Sequence, residues 1–320
     1  MGAGLISGAE VNTFFVKFGW AGVIGIIFAS IMFGVCIFII SKRYVTQENC
    51  NQKIETKTNL KQINLLPACQ ALISAAMFAG LTSIVKNLTN ANELLIQFIL
   101  LVVLFVAIVA GINFANVMNV LVSIFLIILL PLVVKNVVCN NEIIIPNISK
   151  NRVFQSVFYA GLYVCLNIVG CMPIIKNVAQ KNSKNIKQIS VVFSLFILMV
   201  LGVFYAVLFI VTSNAEMPML SLIKSGLLKA VYIILLVLAI CSSLLSGCCG
   251  AKDLFKKINN KYAQSFCTCA IVCAVSNMGF GVIVEYIYPI IGIALIVQLL
   301  VNIMLKRHQK LQKYTIKTQK

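Results

Sequence analysis

The stretch GAGLISGAEVNTFFVKFG, residues 2–19, decides how the fold of this chain is interpreted. It combines glycines and small polar residues with one carboxylate, Glu10, and leads directly into a long apolar run. At about 1.5 Å of rise per helical residue it is too short to cross a bilayer, so it predicts half of a crossing. Irregular backbone at membrane depth persists only where protein or a water-filled cavity surrounds it. We therefore expect an interrupted helix whose free backbone groups contact a ligand, at Gly2, Ala3, Gly4, Ser7 and Gly8. The alternative is that these small residues only permit tight packing between helices.

The composition excludes a soluble protein. Hydrophobic residues make up 61% of the 320 residues and charged residues 11%, whereas soluble domains contain about 25% charged residues. Apolar runs of about 20 residues recur along the chain, each long enough to cross the hydrocarbon core as a helix. They lack the apolar-polar alternation of membrane β-barrels. We predict an all-α integral membrane protein with a single transmembrane domain over residues 1–320.

Ten apolar segments follow one another, and the first is the half crossing, incomplete at its N-terminus. A short turn at residues 111–114 is expected between segments four and five. Segment six carries Asn167, Gly170 and Pro173 near its middle, and because proline removes a backbone donor, a break is predicted there. Segments two to ten are predicted at about 20–40, 63–85, 94–110, 117–134, 153–178, 189–211, 228–245, 266–275 and 282–305.

The distribution of lysine and arginine predicts the orientation. With both termini in the cytoplasm, nineteen of the 26 Lys and Arg residues lie on cytoplasmic faces and seven on outer faces. This bias is typical of bacterial inner-membrane proteins. The basic tail, residues 306–320, is expected to lie against anionic lipid. The formal charge of +18 is spread over short loops and this tail, which excludes nucleic acid as a partner.

The two interrupted segments, one and six, each open a block of five segments. Because five is odd, the two blocks insert with opposite orientations, which is the inverted repeat of many secondary transporters. The predicted repeats cover about residues 1–134 and 153–305.

Three stretches carry a family resemblance: GAGLISGAEVNTFFVKFG, YVCLNIVGCMP at 163–173 and GFGVIVEYIYPIIG at 279–292. They resemble the opening GAGFASGQE motif, the YVSYN segment and the glycine-rich hairpin with YPxxG of YkvI-type bacterial membrane proteins. That family belongs to the amino acid, polyamine and organocation transporter superfamily. The resemblance implies a LeuT-like fold of five plus five helices, with a central site between segments one and six.

The chain departs from the family pattern at its start and at the expected site. Family members have a further half helix before the first glycine, so we expect either a true start upstream of Met1 or a truncated protein. Ala9 and Cys165 stand where the family motif has Gln and Ser. These replacements make the expected site less polar.

Glu10 is the first candidate side chain of the site. An ionisable group in a membrane segment costs at least about 2.5–3.5 kcal/mol on insertion scales, so it normally faces an interior cavity. Glu10 shares a helical face with Ser7 and Phe14. Its carboxylate could bind a substrate amine or a coupling proton. The alternative is that it only stabilises the N-terminus of its half helix.

Segments six and eight supply the other candidates. Tyr163, Asn167 and Gly170 are predicted to line the substrate site, since asparagine offers both a donor and an acceptor. The alternative role for Asn167 is an interhelical hydrogen bond. Ser242 and Ser243 could supply hydroxyl oxygens to a coupling sodium ion, or could only hydrogen-bond to their own helix.

The functional prediction is a secondary active transporter for a small organic solute, an amino acid or related amine, in the bacterial inner membrane. It would work by alternating access, coupled to sodium or protons. The alternative is a non-transporting scaffold or sensor that retains the fold, or a truncated transporter. The sequence contains no Ser-His-Asp, HExxH, Walker or Rossmann pattern, so no enzyme is predicted. Sodium is the only candidate cofactor, and no metal site is predicted, because most of the 12 cysteines lie inside apolar runs and only 1 histidine occurs.

Overall fold

The structure, a computed structural model, describes residues 3–50, 65–110, 112–143, 152–181, 185–211, 215–224 and 226–298. Regular elements within these ranges are helical. Gly2 and the basic tail lie outside the described residues. The helices are α1 (Ala3–Ser7), α2 (Ala9–Phe14), α3 (Ala21–Cys50), α4 (Leu66–Thr89), α5 (Glu93–Ala110), α6 (Ile112–Asn140), α7 (Val153–Lys181), α8 (Ile186–Ile210), α9 (Pro218–Leu222), α10 (Gly226–Ala251), α11 (Lys261–Ser276) and α12 (Phe280–Gln298).

Seven of the described helices are long and apolar enough to cross a membrane: α3, α4, α6, α7, α8, α10 and α12. The chain is therefore a multi-pass helical membrane protein. These helices correspond to predicted segments two, three, five to eight and ten. Segments four and nine correspond to the shorter helices α5 and α11, and segment one to α1 with α2.

Several predicted boundaries were wrong. Helix α3 continues to Cys50, beyond the predicted end of segment two at about residue 40. Helix α6 already begins at Ile112, where a turn was expected, and it continues through Pro131 to Asn140. At its end, the side-chain amides of Asn140 and Asn141 donate to the carbonyls of residues 136 and 137, at 2.7 and 2.9 Å. Helix α11 has 16 residues, beginning at Lys261. Helices α6 and α11 therefore extend beyond their apolar runs into polar residues. Hydrophobic periodicity alone does not reveal such extensions, because polar side chains can pair with the backbone groups at a helix end.

The helices pack around a core of large aromatic side chains. Helix α3 contacts α7 and α8, while α4 contacts α10 and α11. Tyr163, Tyr232, Tyr288, Phe14 and Phe204 are among the largest fully buried side chains. Large apolar side chains also cover the outside, as expected where hydrocarbon replaces water.

Small residues let α3 approach its neighbours closely. The Ser156 hydroxyl of α7 donates to the Ala21 carbonyl at 2.8 Å, and the Ser194 hydroxyl of α8 donates to the Ser30 carbonyl at 2.6 Å. Gly25 and Gly34 of α3 lie against Ser156 and Ser194. Side chain to backbone hydrogen bonds of this kind require small residues at the crossing, as in other membrane bundles. They fix α7, which carries Tyr163 and Asn167, against α3.

The break predicted in segment six is absent, because α7 is one continuous helix from Val153 to Lys181. Pro173 has no N–H to donate to the carbonyl of Val169, four residues earlier. The side-chain amide of Gln70, on α4, donates to that carbonyl at 3.4 Å. Gln70 is buried and lies against Gly250 of α10. A remote side chain thus replaces the missing helical hydrogen bond, so the helix continues.

Replacing Gln70 with leucine is expected to lower the free energy of unfolding by about 1–3 kcal/mol, since it leaves the buried Val169 carbonyl without a donor. Thermal or denaturant unfolding of the detergent-purified protein measures this. In a Pro173→Ala background, residue 173 regains an N–H that can bond to Val169, so Gln70→Leu should cost clearly less. Equal costs in the two backgrounds would show that the Gln70 to Val169 hydrogen bond does not compensate for the proline.

Candidate functional site

The first segment is interrupted at Gly8, as the sequence predicts. Helix α1 ends at Ser7 and α2 begins at Ala9, and Gly8 between them has a φ of 81°. This is the left-handed region, which glycine adopts without steric cost. An ideal Cβ on Gly8 would lie 3.0 Å from Leu208 of α8 and 2.9 Å from Met219 of α9. The interruption is therefore enclosed by protein.

Several backbone groups at the interruption are already hydrogen-bonded within the protein. The Gly8 N–H donates to the Leu5 carbonyl at 3.0 Å. The Ser7 hydroxyl donates to the Gly4 carbonyl at 3.0 Å and accepts from the Ala9 N–H at 3.3 Å. The hydroxyl of Tyr232, on α10, donates to the Ile6 carbonyl. These bonds reduce the number of free backbone groups that a solute could meet, and direct attention to the side chain of Glu10.

A substitution at Tyr232 tests whether its hydrogen bond to the Ile6 carbonyl stabilises the interruption. Its hydroxyl is 226 residues away from Ile6 in sequence and supplies the carbonyl with a buried donor. Tyr232→Phe is expected to lower the free energy of unfolding by about 1–3 kcal/mol, because the carbonyl is left buried and unpaired. Tyr262→Phe, at a residue 61% exposed on α11, is the matched control and should change stability by less than about 0.5 kcal/mol. A Tyr232→Phe variant as stable as this control would contradict the assigned hydrogen bond.

Glu10, in the first turn of α2, is buried at 3% exposure. Its carboxyl group lies directly against Gly4, where any added Cβ would collide with Oε1. The Asn167 side chain forms a hydrogen bond with the carboxyl group. Oε2 has no hydrogen-bond partner among the described residues. No described lysine or arginine forms an ion pair with Glu10, since the ion pairs found there are Lys86–Glu93 and Lys256–Asp253.

Tyr163 and Asn167 of α7 lie beside Glu10, so the structure brings these three predicted site residues together. The Asn167 side-chain amide also donates to the Tyr163 carbonyl at 3.1 Å, one turn earlier. The Tyr163 ring is fully buried, and its centroid lies 5.5 Å from that of Phe14 and 5.1 Å from that of Phe15. Its hydroxyl has no partner among the described residues, and the charge of Glu10 acts on it.

Tyr288 is a site residue that the sequence analysis missed. It follows a π-helical turn, Ile283–Ile287, in α12, and its side chain is fully buried. Its hydroxyl also lacks a partner among the described residues and lies close enough to Glu10 to interact with it electrostatically. A tyrosine inside an apolar segment, directly before Pro289, was the available signal. π-Helical turns occur frequently at functional sites.

Lys17, at the end of the first segment, interacts with side chains of both α7 and α12. Its ammonium nitrogen lies 3.9 Å from the centroid of the Tyr159 ring of α7, a cation–π distance. The carboxylate of Glu285, in the π-helical turn of α12, attracts the same ammonium electrostatically. Lys17 therefore links the first segment to α7 and α12 beyond the level of Glu10.

The remaining predicted site residues, Gly170, Ser242, Ser243 and Ala3, have no described contact with Glu10. Gly170 is half-buried in α7, and an added Cβ there would meet nothing within 4 Å. The Ser242 hydroxyl donates to the Ala239 carbonyl of its own helix at 2.9 Å. Ser242 and Ser243 lie about 15 Å further along α10 than Tyr232. Because Tyr232 is the residue of α10 that bonds to the Ile6 carbonyl, the two serines are distant from the interruption. The sodium site remains a prediction. Ala3 begins α1.

Comparisons of the chain with protein-family models, with curated proteins and with solved structures found no match. The function is therefore inferred from the residues themselves and from the contacts between the helices.

Proposed function

We propose that the chain is a secondary active transporter of a small organic solute, an amino acid or related amine, in the bacterial cell membrane. It works by alternating access and couples transport to sodium or protons, with both termini in the cytoplasm. The observation that carries the proposal is the interruption at Gly8, beside which the buried carboxyl group of Glu10 lies against Tyr163 and Asn167 of another helix.

The energetic cost of Glu10 supports a functional role. Burying an ionisable side chain at membrane depth costs at least about 2.5–3.5 kcal/mol, so such residues normally serve a solute or ion pathway. Glu10 has no described side-chain counter-ion that would make it a structural ion pair.

The contacts between helices support the five-plus-five inverted repeat. In such a repeat, each contact between two segments has a counterpart five segments along the chain. Segment three contacts segment nine (α4 with α11), and the counterpart of this contact is that of segment eight with segment four (α10 with α5). Likewise, segment five contacts segment eight (α6 with α10), and the counterpart is the contact of segment ten with segment three (α12 with α4). Segments two and seven, three and eight, and four and nine also contact each other, so each of these three contacts joins a segment to its own counterpart.

Uptake into proteoliposomes tests the proposal. Purified protein is reconstituted, and accumulation of radiolabelled amino acids and of their decarboxylated amines is followed with an imposed sodium gradient, a proton gradient or neither. Protein-free liposomes correct for passive entry of amines. Saturable accumulation that requires a gradient is expected. Solute binding without accumulation would favour the scaffold or sensor, and flux that neither saturates nor depends on a gradient would favour a channel.

A further inference from the structure

Three buried oxygen atoms without hydrogen-bond partners lie on helices that contact one another, since α2 contacts both α7 and the π-helical turn of α12. Within the described ranges, the buried side-chain polar atoms that lack a partner are Glu10 Oε2, Tyr163 Oη and Tyr288 Oη. They come from three different helices, α2, α7 and α12, and both hydroxyls interact electrostatically with the Glu10 carboxyl group. An unpaired buried polar group is costly and uncommon in native structures, so three together need an explanation.

We infer that this group of oxygens is an ammonium-binding site, which holds the primary amine of the solute by one hydrogen bond each to Glu10, Tyr163 and Tyr288. The inference rests on the proposed transport function and names the chemical class of its substrate. A primary ammonium group carries three N–H donors, and the three oxygens supply three acceptors. A single coupling proton would provide a partner for only one of the three.

The same site disfavours the carboxylate of an amino acid. The α-carboxylate would lie close to the Glu10 carboxyl group, and two like charges repel strongly in a low-dielectric interior. Two backbone donors at the interruption are already used: the Gly8 N–H bonds to Leu5, and the Ala9 N–H bonds to Ser7. The Tyr163 and Tyr288 hydroxyls can donate, but the charge of Glu10 attracts their protons. Lys17, the cation of the first segment, lies over the Tyr159 ring. The solute is therefore an amine without an α-carboxylate.

Equilibrium dialysis of the full chain in detergent tests this inference with three matched pairs of radiolabelled compounds. Ethylamine, isobutylamine and 2-phenylethylamine differ from alanine, valine and phenylalanine only by the loss of the carboxyl group. For the side chain that fits, we expect the amine to bind at least about tenfold more tightly than its amino acid, the equivalent of about 1.4 kcal/mol. The comparison uses unmodified protein, so it does not depend on the folding of a variant.

Tyr288→Phe is the variant that tests the geometry, because it removes only the hydroxyl oxygen. It is expected to weaken amine binding by about five- to 100-fold, the usual effect of leaving a buried donor unpaired. Tyr286→Phe is the matched control: Tyr286 lies on the same helix, is 60% exposed and should leave amine binding unchanged. Size-exclusion chromatography shows whether both variants remain monodisperse.

Two results would overturn the ammonium site: no binding of any of the six compounds, or unchanged amine binding in Tyr288→Phe. An amino acid that binds as tightly as its amine would overturn the exclusion of the α-carboxylate. These outcomes differ from a failure of the proposed function. Gradient-driven uptake of an amino acid by protein that binds no amine would keep transport and overturn the ammonium site. Amine binding sensitive to Tyr288→Phe, with no gradient-driven uptake, would keep the site and overturn transport.

Discussion

Gly8→Ala is expected to lower the free energy of unfolding by about 2–5 kcal/mol and to abolish uptake. Two effects add. A non-glycine residue in the left-handed region costs about 1–2 kcal/mol, and Gly8 has a φ of 81°. The new methyl group would lie 2.9 Å from Met219 Cγ and 3.3 Å from the Met219 backbone nitrogen, and overpacking of this kind costs about 1–3 kcal/mol. Fluorescence of the single tryptophan, Trp20, follows unfolding in denaturant.

Gly202→Ala is the control for this substitution. Gly202 lies inside helix α8, and an added Cβ would meet nothing within 4 Å. Replacing glycine by alanine inside a helix stabilises it by about 0.5–1 kcal/mol, so the two variants should change stability in opposite directions. If Gly8→Ala were as stable as the parent protein, the left-handed conformation at the interruption would be wrong.

Glu10→Gln is expected to reduce gradient-driven uptake by at least about 100-fold, because removing one partner of a buried charged hydrogen bond costs about 2–5 kcal/mol. Stability should change in the other direction. A neutral amide is less costly to bury than an unpaired carboxylate, so the free energy of unfolding should stay the same or rise. Initial rates of uptake, combined with denaturant unfolding of the same preparation, separate a lost binding group from a misfolded protein.

Glu93→Gln is the matched control, since Glu93 is about half exposed and pairs with Lys86 at 2.6 Å. Exposed ion pairs of this kind contribute about 0–1 kcal/mol, so both uptake and stability should change little. Full uptake activity in Glu10→Gln would remove Glu10 from the proposed site, whatever its effect on stability.

The membrane-spanning helical class of the fold could be predicted from the sequence. Runs of apolar residues long enough to cross the bilayer must form helices, since hydrocarbon offers no other partner for backbone groups. The predicted segments accordingly correspond to helices in order, although the polar ends of α3, α6 and α11 were missed. The interruption at Gly8 was also predictable, because a cluster of glycines beside Glu10 is a local signal. The sequence also names Glu10, Tyr163 and Asn167 through the position of the unusual segments, and their role as a binding site stays a prediction.

Only the tertiary structure decided two other points. Pro173 predicts a broken helix, yet α7 continues because Gln70, distant in sequence, donates to the Val169 carbonyl. Tyr288 is one tyrosine within a long apolar segment of the sequence, yet in the fold its buried hydroxyl interacts electrostatically with Glu10 of the contacting helix α2. The physical reason is the same in both cases. Sequence shows which polar groups a helix leaves unpaired, but whether another helix or a ligand satisfies them depends on which side chains the packing brings within hydrogen-bond distance.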